Sequence, residues 1–221
     1  MIRRRPLLAA PALALVAAAP SAADAPRVLR YAFPAAETGF DPAQIQDLYS
    51  RTVTAHVFDA LYEYDFLKRP FLVRPNAADG MPEVSADFRT WTVRVKPGIF
   101  FADDPAFRGR RRELVAQDFV YSIKRHFDPA VKSPQFAGFA EEGFVGVRAL
   151  REAALKDQTP FDYDREVEGL RALDRYTVRF QLENPRPRLL YTLAQNDLIG
   201  AVAREVVEHY GADIAAHPVG T

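Results

Sequence analysis

The chain contains no cysteine, two methionines and one tryptophan in 221 residues, and its 29 basic residues balance its 29 acidic ones. The missing thiols exclude a disulfide-stapled scaffold, a thiolate metal centre and a lipid-bearing cysteine anchor. A zero formal charge removes the basic signature of a nucleic-acid binder. Apolar residues at 48% and charged residues at 26% are ordinary for a folded chain, so disorder and low-complexity classes are also excluded. No apolar run reaches the roughly 20 residues of a membrane-spanning helix.

What the sequence does have begins with an address. Arg3-Arg4-Arg5 is a cationic start, Leu7 to Ala19 is a 13-residue apolar stretch, and Ser21-Ala22-Ala23 offers small residues to a signal peptidase. Residues 1–23 are expected to be a signal peptide cleaved after Ala23, since cleavage after Ala25 would place Pro26 first. Removing them takes away three arginines and no acid, leaving 198 residues with a net charge of −3. A chain of this size buries about 70% of its unfolded surface, enough for a core without cross-links. The expected location is the periplasm, by the Sec or the Tat route.

Along the mature chain, Val28–Phe33 reads as a short strand stopped by Pro34. A helix is expected from Asp41, as cap with Pro42 at the first position and Gln44 as capping-box partner, to about Tyr62. Its inward stripe would be Leu48, Tyr49, Val53, Val57, Ala60 and Leu61. Trp91–Val95 and Tyr176–Leu182 alternate with period two and read as half-buried strands of one sheet. Ala116, Phe119, Val120, Ile123 and Phe127 predict a helix with Lys124 and Arg125 at its C-terminal end. Further helices are expected over about Val147 to Lys156 and over Val202 to Tyr210, with Gly211 as C-cap. Helices and strands mix without regular alternation, so the fold class is α+β.

Catalytic and metal motifs are missing. His56, His126, His209 and His217 never fall at a short ligand spacing, and no phosphate loop or nucleophile elbow is present. His56 falls on the apolar stripe and reads as a core histidine. Asp103-Asp104 reads as a hydrated turn, because oxygen-coordinated cations need more ligands. Arg108, Arg110, Arg111 and Arg112 read as a solvated loop paired with Asp103, Asp104 and Glu113.

Six segments in order carry a resemblance: Phe40-Asp41-Pro42; Val57 to Asp65; Pro82-Glu83-Val84-Ser85; Trp91 to Phe101; Gln117 to Arg125; and His217-Pro218-Val219-Gly220-Thr221. Together, behind an export signal, they resemble the extracellular solute-binding proteins of ABC importers, of the peptide/nickel type. The resemblance implies a periplasmic-binding-protein-like lobe with a small inserted α+β domain, the second lobe being absent. Residues 24–58 and 190–221 would form the first part of lobe I, and 59–189 the inserted domain. Members of the family continue past Pro-Val-Gly-Thr into a second large lobe, so a split, truncated or cut gene is expected here.

The implied function is that of the substrate-binding component of an ABC import system, closing on a peptide between two lobes. The loop Pro34–Phe40 would face the cleft, with Ala35 and Ala36 allowing close approach of a ligand backbone. Glu37 would meet a ligand ammonium, and Thr38 and Phe40 would complete the ligand-binding set. Partners would be a peptide or other small solute and an inner-membrane ABC permease, with no nucleic acid, no cofactor, no metal and a monomeric state when complete. An alternative cargo is a metal chelate, haem or an opine-like solute. Alternatives of other classes are a secreted enzyme whose catalytic part follows Thr221 and a structural envelope protein.

Overall fold

The computed structural model describes residues 28–221; the expected signal peptide, residues 1–23, lies outside the described residues. The chain divides into two units, Met1–Phe33 and Pro34–Thr221, each taken by itself. In the first, Val28–Phe33 belongs to no strand, with Leu29 91% exposed and Tyr31 packed edge-to-face on Phe33 at 5.4 Å. The expected strand is therefore not formed. Apolar alternation marks a strand only where a neighbouring strand completes the ladder, and among the described residues no strand pairing includes this segment.

In the second unit the expected long helix is also corrected. Helix α1 spans only Leu48–Thr54, and its N-cap is Asp47, whose side chain accepts from the Tyr49 and Ser50 amides. Asp41 instead closes a turn, accepting the Ala43 amide on its side chain and those of Gln44 and Ile45 on its carbonyl. Leu48, assigned to the inward stripe, is 70% exposed. Two capping aspartates six residues apart offered two phases, and the second one fixed the helix.

Strands β1 (Tyr62–Asp65) and β2 (Leu72–Pro75) form a separate antiparallel hairpin, Tyr62 facing Pro75. The main sheet contains β3 (Glu83–Val84), β4 (Thr90–Arg94), β5 (Leu170–Asp174) and β6 (Thr177–Gln181) in the order β3-β4-β6-β5, all antiparallel. The two strands read from sequence are adjacent here, Trp91 opposite Phe180 and Val93 opposite Val178. These four side chains are buried on one face, and their outward neighbours are half-exposed, which is what period-two alternation requires.

Helix α2 (Ala116–Arg125) packs against β5 and β6 with Phe119, Val120 and Ile123 inward. Helices α3 (Phe136–Glu142) and α4 (Val147–Asp157) follow, then the short α5 (Leu189–Thr192) and α6 (Asn196–Ile199). Helix α7 (Arg204–Tyr210) ends at Gly211, φ 53°, as the glycine had indicated. The result is mixed α+β, with a core running from Tyr62 through Trp91, Phe119 and Phe180 to Leu193. Among the described residues no helix is long and apolar enough to cross a membrane.

Candidate functional site: the Pro34–Phe40 loop and its supports

The loop before α1 is free at one end of its run and tied at the other. Ala35, Ala36, Glu37 and Thr38 are exposed, and Phe40 is half-buried. Thr38 donates its amide to Ser50 Oγ at 2.9 Å and its hydroxyl to Asp47 Oδ2 at 2.5 Å. Phe40 donates its amide to the Ala215 carbonyl at 2.8 Å. Among the described residues, the backbone groups of Ala35, Ala36 and Glu37 make no hydrogen bond. Such unspent donors and acceptors are what a ligand backbone can pair with.

Asp47 does double duty, capping α1 and holding Thr38. Hydrogen bonds from the Ser50 side chain and amide, with the one from Thr38, hold its carboxyl far below the usual range. The carboxylate is therefore ionised throughout the neutral range, and the loop stays anchored. Behind the loop, Phe40 lines a small void with Phe58, Val202, Val206, Ile214 and Val219. Its free volume of about 10 Å³ is at the limit for one water, so this end of the loop is packed.

Immediately after the loop, Asp41 receives two parallel hydrogen bonds from Arg125, Nη1 to Oδ1 at 2.6 Å and Nη2 to Oδ2 at 2.7 Å. Both side chains are at most 3% exposed. Burial alone would pull the guanidinium down; the charge and hydrogen bonds of Asp41 outweigh it and raise it. Lys124, the other cation expected to lie on the helix end, is buried too and donates to the carbonyls of Tyr163 and Arg165 at 2.9 and 2.8 Å. Both residues thus serve tertiary anchoring rather than the exposed helix terminus.

The histidine expectations are reversed. His56 is exposed, with Nδ1 2.8 Å from the Thr52 carbonyl. The core histidine is His126, 1% exposed and stacked on Phe139 at 4.1 Å. Its Nε2 lies 2.9 Å from the Leu198 carbonyl, which can only accept, so Nε2 carries the proton and Nδ1 accepts from Ser133 Oγ at 2.7 Å. Burial holds the ring's pKa down to about 4, so it is neutral.

The arginine run is corrected as well. No ion pair joins it to Asp103 or Asp104 among the described residues. Arg112 pairs with Asp118 and Glu205, and Glu113 pairs with Arg175. Asp104 caps the turn Pro105–Phe107 and accepts from the Tyr210 hydroxyl at 3.0 Å.

Known proteins match this arrangement in both sequence and shape. The family described as bacterial extracellular solute-binding proteins, family 5 Middle, matches residues 73–221. The chain belongs to that family. It is 28% identical over 226 residues to di/tripeptide-binding protein 2 of Pseudomonas aeruginosa (strain UCBPP-PA14), covering 100% of this chain and 39% of that protein. It is 30% identical to di/tripeptide-binding protein 4 of the same organism, covering 88% of this chain and 32% of the relative. Among solved structures, OppA of Burkholderia pseudomallei superposes with a TM-score of 0.64 at 22% identity, over 86% of this chain and 33% of that one. The chain thus spans about a third to two-fifths of the length of these proteins.

For this solute-binding family member, the contacts that fix the 34–40 loop were not read from the sequence. Asp47 and Ser50 stand at the spacing of a cap and its helix, a signal overshadowed by the equally good Asp41-Pro42 pair. The Asp41–Arg125 and His126–Leu198 links span 84 and 72 residues and leave no local trace.

Proposed function

We propose that the chain supplies part of the solute-binding cleft of a periplasmic carrier that delivers peptides to an inner-membrane ABC permease, without catalysing a reaction. The supporting observation is the exposed run Ala35-Ala36-Glu37, whose backbone groups are unspent while Thr38 and Phe40 are tied to α1 and Ala215. An anchored loop with unpaired backbone groups suits main-chain recognition, which accepts peptides of varied side chains. Glu37 would take the ligand's ammonium, with Thr38 and Phe40 setting the loop's course. Residues 24–58 and 190–221 would belong to one lobe and 59–189 to the domain inserted in it. The opposing wall would come from sequence matching the rest of the longer relatives, which are named for binding di- and tripeptides. Residues 1–23 would direct export and be removed after Ala23, and the working carrier would be monomeric.

Amide chemical shifts of the 221-residue chain, titrated with trialanine, test the loop assignment. Shifts concentrated at residues 35–40 are expected, with an affinity weaker than about 1 mM because one wall cannot enclose the ligand. Shifts elsewhere, or none, would overturn the loop's role; micromolar binding would overturn the shared cleft.

A further inference from the structure

Arg110, Arg111 and Arg175 converge on a cleft of about 530 Å³, walled also by Phe100, Arg112 and Glu205 and remote in sequence from the Pro34–Phe40 loop. The four arginines are not equivalent. Arg112 spends all five N–H donors on the protein: Nε on Glu205 at 2.8 Å, Nη1 on the Glu113 carbonyl at 2.5 Å and Asp118 at 3.1 Å, Nη2 on Asp118 at 2.7 Å and Glu205 at 3.3 Å. It is a structural post. Arg175 spends Nε on the Tyr176 hydroxyl at 3.1 Å and Nη2 on Glu113 at 2.7 Å, leaving Nη1 open. Arg110 and Arg111 are exposed, and among the described residues their side chains have neither a hydrogen bond nor an ion pair.

The acids on the walls cannot neutralise those two. Glu113 is consumed by Arg175, the Gly98 amide at 2.8 Å and the Tyr176 hydroxyl at 3.0 Å, and both oxygens of Glu205 accept from the Nε–Nη2 edge of Arg112. Arg111 is also posed. Its guanidinium lies over the Phe100 ring, 3.9 Å from the centroid, so stacking occupies a face and leaves the in-plane donors free. Two whole guanidinium forks and one open Nη1 therefore face a concave space of small-molecule size, in a chain with no overall positive charge.

We infer that this cleft binds a small ligand through its oxyanions, carboxylate or phosphate, each group bridging the forks of Arg110 and Arg111 with Arg175 Nη1 as the further donor. The inference does not depend on the peptide reading, since it uses other residues and another ligand chemistry. Arg112 sets the geometry by fixing the loop to α2 and α7, and its own charge is already answered.

Calorimetric titration of the 221-residue chain with citrate and with pyrophosphate, at low salt, tests it and separates the two oxyanion sources. Saturable one-site binding of at least one probe is expected, weakened about tenfold or more in the Arg110→Ala/Arg111→Ala double variant, about 1.4 kcal/mol. Arg108→Ala, exposed on the same run but outside the cleft, should leave the affinity unchanged. The thermal midpoint of Arg108→Ala should match the parent, and that of the double variant should fall only by the small loss of the Arg111–Phe100 stacking, since neither change breaks a hydrogen bond or an ion pair. No saturation with either probe, an unchanged affinity in the double variant, or an equal loss in Arg108→Ala would overturn the site; the last result would mean diffuse attraction to surface charge.

Discussion

Arg125, on helix α2, grips Asp41, 84 residues earlier, through two parallel hydrogen bonds in a setting from which water is excluded. The pair pins the turn that follows the candidate ligand loop to the helix that covers the sheet. Taking two charges out of water is costly, and the attraction between them repays that cost only while both are present. Asp41→Asn keeps the shape but strands the guanidinium, and should lower stability by about 3 kcal/mol. The double variant Asp41→Ala/Arg125→Met should recover a large part of that loss. Urea unfolding monitored by circular dichroism measures both, and a single variant within 0.5 kcal/mol of the parent (roughly the scatter of a neutral surface change) would contradict the assigned role.

His126 makes stability depend on pH in a definite direction. The unfolded chain protonates this ring near 6.5, whereas burial delays protonation in the fold to about 4. Between those values the unfolded state binds more protons, so stability rises with pH across the window and falls as the solution is acidified. At the low end the loss attributable to this ring approaches about 3 kcal/mol. Urea midpoints measured from pH 4 to 7 should show this slope, and His126→Gln should flatten it. A slope unchanged in that variant would assign the pH dependence to other groups.

Gly220 is required by space. A Cβ placed there would sit 1.6 Å from the Val57 carbonyl oxygen, a backbone atom that cannot swing aside. The neighbouring bonds fix this crossing, Ala102 donating to the Gly220 carbonyl and Thr221 to Asp59 Oδ2, each at 2.8 Å. Gly220→Ala should therefore destabilise by about 3 kcal/mol or more. Gly138, inside α3 with nothing within 4 Å of its Cβ position, is the contrasting case. Gly138→Ala should be neutral or stabilising by up to about 1 kcal/mol. Thermal melts of the two variants should move in opposite directions or leave the second unmoved.

Legibility in the sequence followed the range of the interactions. Trp91–Val95 and Tyr176–Leu182 were readable because a half-buried strand writes its two faces into adjacent residues, and their pairing follows once one sheet is assumed. Helix α2 was readable because Phe119, Val120 and Ile123 recur on one face. Val28–Phe33 carried the same local signal, but strand formation depends on a partner that the segment itself cannot announce. The helix start failed for a related reason: Asp41 has every local qualification for a cap and is diverted by Arg125. The family resemblance singled out the loop 34–40 as a candidate, while its anchors, Asp47 with Thr38 and Ala215 with Phe40, depend on how α1 and the chain near 215 fold back. The arginine run was visible as charge, yet only the fold separates Arg112, fully bonded, from Arg110 and Arg111, which are not.

The anchoring of the loop can be tested without any ligand. Asp47 holds three donors at once, the Tyr49 and Ser50 amides and the Thr38 hydroxyl, and its ionisation is favoured by them. Asp47→Ala removes the cap of a seven-residue helix that is too short to persist by propensity alone, and frees Thr38 in the same step. Amide exchange should therefore quicken at Ser50, Arg51 and Thr38, whose protection depends on α1 being formed. Val93 and Phe180, paired within the β4–β6 ladder, should exchange as in the parent. The Phe40 amide distinguishes two modes of anchoring, because its partner is the Ala215 carbonyl and not α1. If Phe40 keeps its protection while Thr38 loses it, the loop has two separate tethers and its first residues can adapt to a ligand while its end stays fixed. Loss of protection at Phe40 together with Thr38 would mean that the loop and α1 open as one unit, and unchanged exchange at all four positions would remove Asp47 from the anchoring of the loop.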